Sequence, residues 1–270
     1  MSDASRPTPR ATARLMERYL YPALFLVVFV AAWEFLPSYF GLPNYVLPKL
    51  SEIGAVFADV SRYGQFAYGT YVTLKEALLG VLIGGGLGLV IGFALAESRI
   101  LMNTFYPYIV ALQCVPKVAI APLLVIWFGF GIASKVIIAS LLCFFPVLVS
   151  TISGIRSVRD DYAELFHAIK APRLAKLRHL VIPSALPSIF SGMEIGLTIA
   201  LLGAIVGEFV GAQEGLGVLL MQAQFQMDTP SVFAILGILS FLGIVLSVLV
   251  HVVRKKSLYW VSTENDISGR

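Results

Sequence analysis

Six long apolar runs occupy most of this 270-residue sequence and constrain its fold more than any other feature. As a helix, a run of about 20 residues crosses the roughly 30 Å of hydrocarbon in a bilayer. The runs cover residues 19–36, 73–96, 101–128, 133–152, 186–210 and 231–253. Only 13% of the residues are charged, about half the usual share, so a soluble globule could not cover its apolar surface. We predict an all-α membrane protein with six transmembrane helices, and we exclude soluble enzymes, nucleic-acid binders and disordered scaffolds.

Basic residues are distributed unevenly between the segments that join the runs. Fifteen of the twenty Lys and Arg residues lie in the tail at 1–18, at Arg99, in the loop at 156–185 and in the tail at 254–270. The opposite side carries only Lys49, Arg62 and Lys135. Because Lys and Arg collect on the cytoplasmic side, both termini are predicted to be cytoplasmic. The positive net charge is therefore a signal of orientation and not of nucleic-acid binding.

Glycines recur every four residues in two of the runs. They are Gly80, Gly84, Gly88 and Gly92 in the second run, and Gly203, Gly207 and Gly211 in the fifth. Small residues at this spacing let helix backbones approach closely within lipid, so both series are predicted to be packing faces. The face around Gly207 is expected to join two copies of the chain. The glycines at 84–88 follow no strand, so we assign no nucleotide site here, and any ATP would be bound by another subunit.

The loop at 156–185 carries the most specific pattern. Asp161 and Glu164 have capping-box spacing, which predicts a helix that begins at about Tyr162. Pro172 favours an end near residue 169 or 170. Three side chains share one apolar face of this helix: Leu165, Phe166 and Ile169. The helix either folds against its own bundle or docks in a groove of a cytoplasmic partner.

The same loop resembles the signature loop of ABC-importer permeases, Glu-Ala-Ala-x3-Gly-x9-Ile-x-Leu-Pro. With Glu164 as the glutamate, the spacing is complete and Pro183 is the final proline. Leu165 and Phe166 replace the two alanines, and Lys170 replaces the glycine, which would permit a positive φ at a helix end. The resemblance implies that the residues coupling the chain to an ATPase are Glu164, Leu165, Phe166, Ile169, Lys170, Ala171 and Pro183.

Four further motifs, at 43–48, 121–129, 144–147 and 207–212, are similar to the nitrate/sulfonate/taurine group of these permeases. The resemblance implies a type I ABC-importer permease fold in the bacterial cytoplasmic membrane. It also implies two copies of the permease, two ATP-binding subunits that carry ATP and Mg, and a periplasmic or lipid-anchored substrate-binding protein. The chain itself is then a transport subunit with no cofactor and no enzymatic activity.

Ionisable residues inside apolar runs are candidates for the translocation pathway. Lys117 lies in the third run, where an ammonium could meet an anion. The alternatives are a structural ion pair with Glu208 or Glu194, or a side chain that extends to water at the membrane surface. The predicted pathway residues are Gln113, Pro116, Lys117, Glu208 and Phe209. We interpret Lys75 and Glu76 as interfacial anchors.

Three interpretations of the function remain open. The first is an importer subunit for a small organic or inorganic anion, similar to sulfonate, taurine or nitrate. The second is the same machinery importing a pyrimidine-type vitamin precursor or a riboflavin-like molecule. The third is a self-sufficient proton-coupled carrier, although only Lys117 is placed like a carrier charge. An intramembrane enzyme would need a nucleophile–base pair, paired carboxylates or a metal set, and we find none within the runs.

Overall fold

The computed structural model describes residues 9–258, with side chains from Leu20 onward, and every regular element among them is helical. The helices are α1 Pro9–Tyr39, α2 Leu50–Ala58, α3 Tyr63–Gly80, α4 Gly86–Glu97, α5 Arg99–Gln113, α6 Ala121–Phe128, α7 Ile132–Arg156, α8 Asp160–Ala168, α9 Arg173–Lys176, α10 Ile182–Gly211, α11 Leu216–Phe225 and α12 Thr229–Ser257. The all-α prediction is confirmed. Parts of both predicted tails, residues 1–8 and 259–270, lie outside the described residues.

Within residues 9–258, five helical segments are long and apolar enough to cross a membrane, and a sixth span results if one bent helix pair is counted as a single span. The second and fifth spans are longer than the sequence predicts, because Val60–Glu97 and Arg173–Gly211 form helical segments of 38 and 39 residues. The predicted third span at 101–128 is a broken helix rather than a continuous one. Its two parts, α5 and Lys117–Phe128, meet at an angle of 79°. Pro116 lies at the break, where proline disfavours helical backbone in the preceding residue.

The chain divides into two compact units, which we describe separately. The first consists of the described part of Met1–Tyr63 together with Gln222–Leu236. Within it, the Trp33 indole donates a hydrogen bond to the Pro48 carbonyl at 3.0 Å. The same ring packs edge-on against Phe233, with ring centroids 5.7 Å apart. The tryptophan thus satisfies its polar N–H while it buries its apolar surface.

The second unit consists of Gly64–Met221 with the described part of Gly237–Arg270, and α7 forms its centre. α4 and α10 both pack against α7. Small side chains of α7, among them Ala139, Cys143 and Val147, are fully buried with Ala200 of α10 in this packing layer. A span with so much surface inside the protein is held by close packing rather than by contact with lipid.

The glycines of the second span allow α7 to pack this closely. Gly80, Gly84, Gly88 and Gly92 all face α7. A Cβ at Gly84 would overlap the main chain of Ser140, and one at Gly88 would lie 2.8 Å from the Phe144 carbonyl oxygen. Real Cβ atoms do not approach backbone so closely, so a larger residue would push the helices apart.

The second glycine series packs against the same chain as well. A Cβ at Gly203 would lie 2.8 Å from the Cα of Ala139, and one at Gly207 would lie 3.0 Å from the Lys135 side chain. Gly211 faces the Phe130 ring, which precedes α7. The expectation that the face around Gly207 joins two copies is wrong, because α7 of the same chain already occupies it.

Candidate functional site

The first helix of the loop, α8, begins at Asp160, two residues before the predicted start. Arg159 is the N-cap residue, and no side chain caps the helix there, so the predicted capping box is wrong. Instead Arg159 donates to the Asp161 carboxylate at 2.8 Å. Asp160 and Asp161 place negative charge in the first turn, where it interacts favourably with the positive end of the helix dipole.

The end of α8 is a complete Schellman turn. The Lys170 N–H donates to the His167 carbonyl at 3.0 Å, and the Ala171 N–H donates to the Phe166 carbonyl at 3.0 Å. This pattern requires a left-handed residue after the C-cap, and Lys170 adopts a φ of +47°. The lysine therefore takes the conformation for which glycine is the usual residue, and the turn keeps its geometry without the glycine.

The apolar face of α8 is exposed in this chain. Leu165 is 54% exposed and Ile169, which follows the helix, is 64% exposed; Phe166 is half-buried. No residue of α8 is buried. The interpretation in which this helix folds into its own bundle therefore fails for the described part of the chain. An exposed apolar helix face is typical of a surface that meets another protein.

The second half of the loop is a helical extension of the fifth span. From Arg173 to Gly211 the chain is helical throughout, with a π-helical turn at Leu177–Val181. Pro183 lies just after that turn, in the first turn of α10. Val181 and Ala185 pack against Ile155 at the end of α7. The continuous helix Arg173–Gly211 therefore connects the loop rigidly to the fifth span.

The predicted pathway residues lie in different environments. Gln113 and Pro116 are exposed at the break of the third span, and Phe209 is exposed on α10. The Lys117 ammonium donates to the Gln113 carbonyl at 3.1 Å and lies 4.4 Å from the centre of the Phe145 ring. Lys117 is thus held by a carbonyl and an aromatic face.

The two glutamates considered as partners of Lys117 accept hydrogen bonds from other residues. Ser247 donates to Glu194 at 2.9 Å, and Thr73 donates to Glu208 at 2.6 Å. Glu208 is only 1% exposed. Its role in the pathway stays a prediction, whereas its contacts within the chain are extensive.

Glu208 joins the fifth span to the start of α11. One carboxylate oxygen accepts from Thr73, and the other accepts from the Gly217 N–H. The Thr73 hydroxyl in turn accepts from the Leu216 N–H at 2.9 Å. The first N–H groups of a helix lack partners within the helix, so Glu208 and Thr73 together cap α11. Gly215 immediately precedes α11 and has a φ of +118°, a conformation that favours glycine.

Lys135, near the start of α7, caps the end of α10. It is 1% exposed, and its ammonium donates to the carbonyls of Phe130, Gly131 and Gly211. Three donors thus meet three acceptors, one of which is a terminal carbonyl of α10. The sequence indicated only a basic residue on the side opposite the loop.

Glu76 is also buried, at 3% exposure, while Lys75 beside it is exposed. The interpretation of this pair as interfacial anchors is therefore wrong for Glu76. We call the set Thr73, Glu76, Lys135 and Glu208 the buried charged cluster. It lies at the end of α7 and α10 that is remote from α8.

Comparison with known proteins identifies relatives across most of the chain. The sequence profile described as "Binding-protein-dependent transport system inner membrane component" matches residues 84–258. The chain is 35% identical to the formylaminopyrimidine transport permease protein ThiX of Halalkalibacterium halodurans, over 83% of this chain and 89% of that protein. It is 34% identical to the riboflavin transport system permease protein RibX of Chloroflexus aurantiacus, over 95% and 96%. It is 27% identical to the taurine transport system permease protein TauC of Escherichia coli, over 83% and 81%.

Solved structures resemble the chain in fold. A chain of the MetNI methionine ABC transporter, in an inward-facing conformation, aligns with a TM-score of 0.63 and 18% identity. The alignment covers 76% of this chain and all of that chain. A chain of an amino acid ABC transporter aligns with a TM-score of 0.62 and 19% identity, over 74% and 97%. At this identity the likeness concerns the fold alone, and it confirms the predicted permease architecture.

Proposed function

Because this chain belongs to the family of binding-protein-dependent transport system inner membrane components, we propose that it forms the translocation pathway of an importer driven by a separate ATPase. It is a permease subunit of the ABC-importer type, located in the cytoplasmic membrane. The observation that carries the proposal is α8, whose apolar face is exposed while its end is fixed by a Schellman turn. Such a helix is suited to a groove on a partner.

The proposed coupling is mechanical. Docking of α8 on an ATP-binding subunit would transmit the closure of that subunit through the helical segment Arg173–Gly211 into the fifth span. A rigid shift of this kind moves a bundle between two packed arrangements. ATP favours one of the two arrangements only if its binding differs between them.

The proposed assembly contains two copies of this chain, two ATP-binding subunits that hold ATP and Mg, and a substrate-binding protein on the other side of the membrane. Relatives named as transport permease proteins support the role of this chain as one subunit of a transporter; the partners and their copy numbers belong to the proposal. Lys117, Gln113 and Pro116 are proposed to line the pathway, because they lie together at the break in the third span. Discontinuous helices in membranes line cavities rather than lipid.

The proposed substrate is a small solute, and two classes compete. Relatives named for sulfonates and taurine favour an organic anion, which the Lys117 ammonium suits. Relatives named for a formylaminopyrimidine and riboflavin favour a vitamin or its precursor. The relatives of higher identity are the permeases for a vitamin or its precursor, whereas Lys117 favours an organic anion. Transport assays with both classes of substrate decide between them.

Reconstitution tests the proposal directly. The permease is purified with its ATPase subunits, inserted into liposomes, and supplied with the cognate binding protein and radiolabelled substrate candidates. We expect uptake that requires ATP and all three components. Uptake by the permease alone under a proton gradient would instead support a self-sufficient carrier.

A further inference from the structure

A cavity of about 610 Å³ opens in the second unit between α5 and the last turns of α7. It lies at the end of α7 that leads into α8, remote from the buried charged cluster. Six of the side chains that line it carry the argument: Met102, Asn103, Tyr106, Ile152, Ser153 and Arg156. The volume is about twenty times the share of one water molecule in the liquid, so the cavity is far larger than an inorganic ion needs.

The floor of this cavity is apolar. Met102 and Ile152 are buried, at 7% and 4% exposure, and pack with Leu95 and Leu148 in one cluster. An apolar floor stabilises a ligand only if the ligand has apolar surface of its own to remove from water. A purely polar solute would leave this part of the cavity unused.

The rim of the cavity is polar and rich in hydrogen-bond donors. Asn103, Tyr106, Ser153 and Arg156 are exposed and carry amide, hydroxyl and guanidinium donors. Asn103 and Tyr106 are three residues apart on α5, and Ser153 and Arg156 are three residues apart on α7. Residues at this spacing share one helix face, so both pairs can reach a ligand between the two helices.

The charge of this rim is positive. None of the lining residues that the structure describes is acidic, and Arg156 is the ionised one. The ion pairs among the described residues involve Arg62 and Arg159 and do not involve Arg156. A guanidinium donates two parallel hydrogen bonds to the oxygens of a phosphate group, with more geometric specificity than an ammonium. A phosphate joined to an apolar body therefore matches the rim and the floor together.

The position of the cavity along the spans favours a lipid over a soluble phosphate. Arg99 begins α5 one turn before Asn103, and Arg156 lies in the last turn of α7, so basic residues mark this end of both helices. Tyr106 and Tyr108 are exposed on α5, and tyrosine collects at the level of the lipid headgroups. Basic pockets between spans on the cytoplasmic side are suited to anionic headgroups.

We infer that this cavity binds the phosphate headgroup of an anionic membrane lipid, with Arg156 on the phosphate and the start of an acyl chain over Met102 and Ile152. The inference rests on the proposed function for the assignment of the α8 end to the cytoplasmic side, and it adds a lipid as a partner. A lipid in this position bridges α5 and the end of α7, shortly before α8 begins at Asp160.

Native mass spectrometry of the full-length permease in detergent tests the inference. The probes are dioleoylphosphatidylglycerol and dioleoylphosphatidylcholine, which have the same acyl chains and differ in the net charge of the headgroup. We expect the first phosphatidylglycerol to bind about tenfold more tightly than the first phosphatidylcholine, the difference that a charge-assisted hydrogen bond supplies. Glycerol 3-phosphate at millimolar concentration, which offers the phosphate without acyl chains, should not displace it.

Three variants locate the site. Arg156→Gln removes the charge at the rim, and we expect it to abolish the preference for phosphatidylglycerol. Arg178→Gln is the matched control: it removes an exposed arginine outside the cavity, in the loop at 156–185, and should preserve the preference. Ser153→Phe fills the cavity without a change of charge and should weaken the binding of phosphatidylglycerol. Thermal unfolding confirms that each variant is folded, and if Arg156→Gln or Ser153→Phe fails to fold, the other one decides.

Equal binding of the two lipids would overturn the inference, and so would a preference that survives in folded Arg156→Gln or is unaffected by Ser153→Phe. An equal loss in Arg178→Gln would show a general attraction to basic residues instead of a site. Displacement by glycerol 3-phosphate would assign the cavity to a soluble phosphate. This assay needs no ATPase, so ATP-driven uptake without a lipid preference would remove only the lipid site, and a lipid preference without ATP-driven uptake would remove only the proposed function.

Discussion

The two ends of the α7–α10 pair differ in which side chains are buried. At one end, Lys135 and Glu208 are buried and every hydrogen bond we observe for them ends inside the same chain. At the other end, Leu165 and Ile169 are apolar and exposed, and no residue of α8 is buried. Buried charged groups whose hydrogen bonds are all made within the chain indicate a rigid structural region. An exposed apolar helix face indicates a surface that binds another protein. Stability and assembly should therefore respond to different substitutions in the two regions.

The largest effect is expected at Lys135. Lys135→Met removes the ammonium that three carbonyl oxygens share and leaves the nearby carboxyl groups without compensation, which should lower the free energy of unfolding by about 3–5 kcal/mol. Thermal unfolding followed by size-exclusion fluorescence measures this loss. Lys75→Met, at an exposed position in the same region, should change the stability by less than about 0.5 kcal/mol. Equal stability of the two variants would remove the distinction between the regions.

A single methyl group at the glycine face is expected to have the next largest effect. Gly84→Ala places a Cβ against the Ser140 main chain and should cost about 1–3 kcal/mol. Gly86→Ala is the matched control, because a Cβ there meets no atom within 4 Å. The control should be neutral or stabilising by up to about 1 kcal/mol, since alanine suits a helix better than glycine. A destabilised Gly86→Ala protein, or an unaffected Gly84→Ala protein, contradicts the packing described for α7.

A smaller effect is expected at the Schellman turn of α8. Lys170→Gly should relieve the cost of a left-handed conformation by about 1 kcal/mol, which slows the exchange of the amides of the turn about fivefold. Hydrogen–deuterium exchange over residues 166–171 measures this change. Lys170→Ala retains the Cβ and should show no slowing. Attachment of the ATPase should survive in both variants, since the side chain of Lys170 does not form the turn.

The smallest effect concerns ion pairs in the first unit. Arg62 contacts Asp59 at 3.1 Å and Asp228 at 3.4 Å. Burial raises the pKa of Asp228, but hydrogen bonds from Ser231 and Arg62 outweigh it and leave the pKa below its usual value. Because the pKa is lowered in the folded state, this stability is present at neutral pH. It is lost as the pH falls below the ordinary pKa of aspartate, about 4, and through the lowered pKa of the folded protein.

Asp228→Asn should therefore reduce stability by less than about 1 kcal/mol at pH 7, because the pair is partly exposed and screened. The difference between native chain and variant should shrink as the pH falls below about 4, because the native carboxyl then becomes protonated as well. Thermal unfolding between pH 3 and pH 8 provides the test. A difference that persists in acid would show that the Asp228 charge is not responsible.

Local patterns in the sequence predicted the elements whose partners lie nearby. The apolar spacing of α8 and its end at Lys170 follow from neighbours along the chain, and the glycine spacing predicts helix packing. The glycine spacing does not predict that Gly207 faces Lys135 of the same chain, because small residues at this spacing indicate close packing without identifying the helix that packs there. It also hid the break at Pro116, because hydropathy remains high on both sides of a bend.

The buried charged cluster was hidden for a different reason. Thr73 and Glu208 are 135 residues apart, and Lys135 lies 76 residues from Gly211. Each charge stands near the end of an apolar run, where an exposed anchor and a buried cap have the same sequence pattern. Only the packing of α3, α7 and α10 separates the two possibilities.

Co-purification of the permease with its ATPase subunits tests the central claim most directly. The variant Leu165→Asp with Ile169→Asp replaces two exposed apolar side chains of the α8 surface by charges. We expect the ATPase to be lost from the complex while the unfolding temperature of the permease stays unchanged, because neither side chain is buried in its own chain. An intact, coupled complex in this double variant would contradict the account, and so would a permease that unfolds, since α8 would then pack within its own bundle.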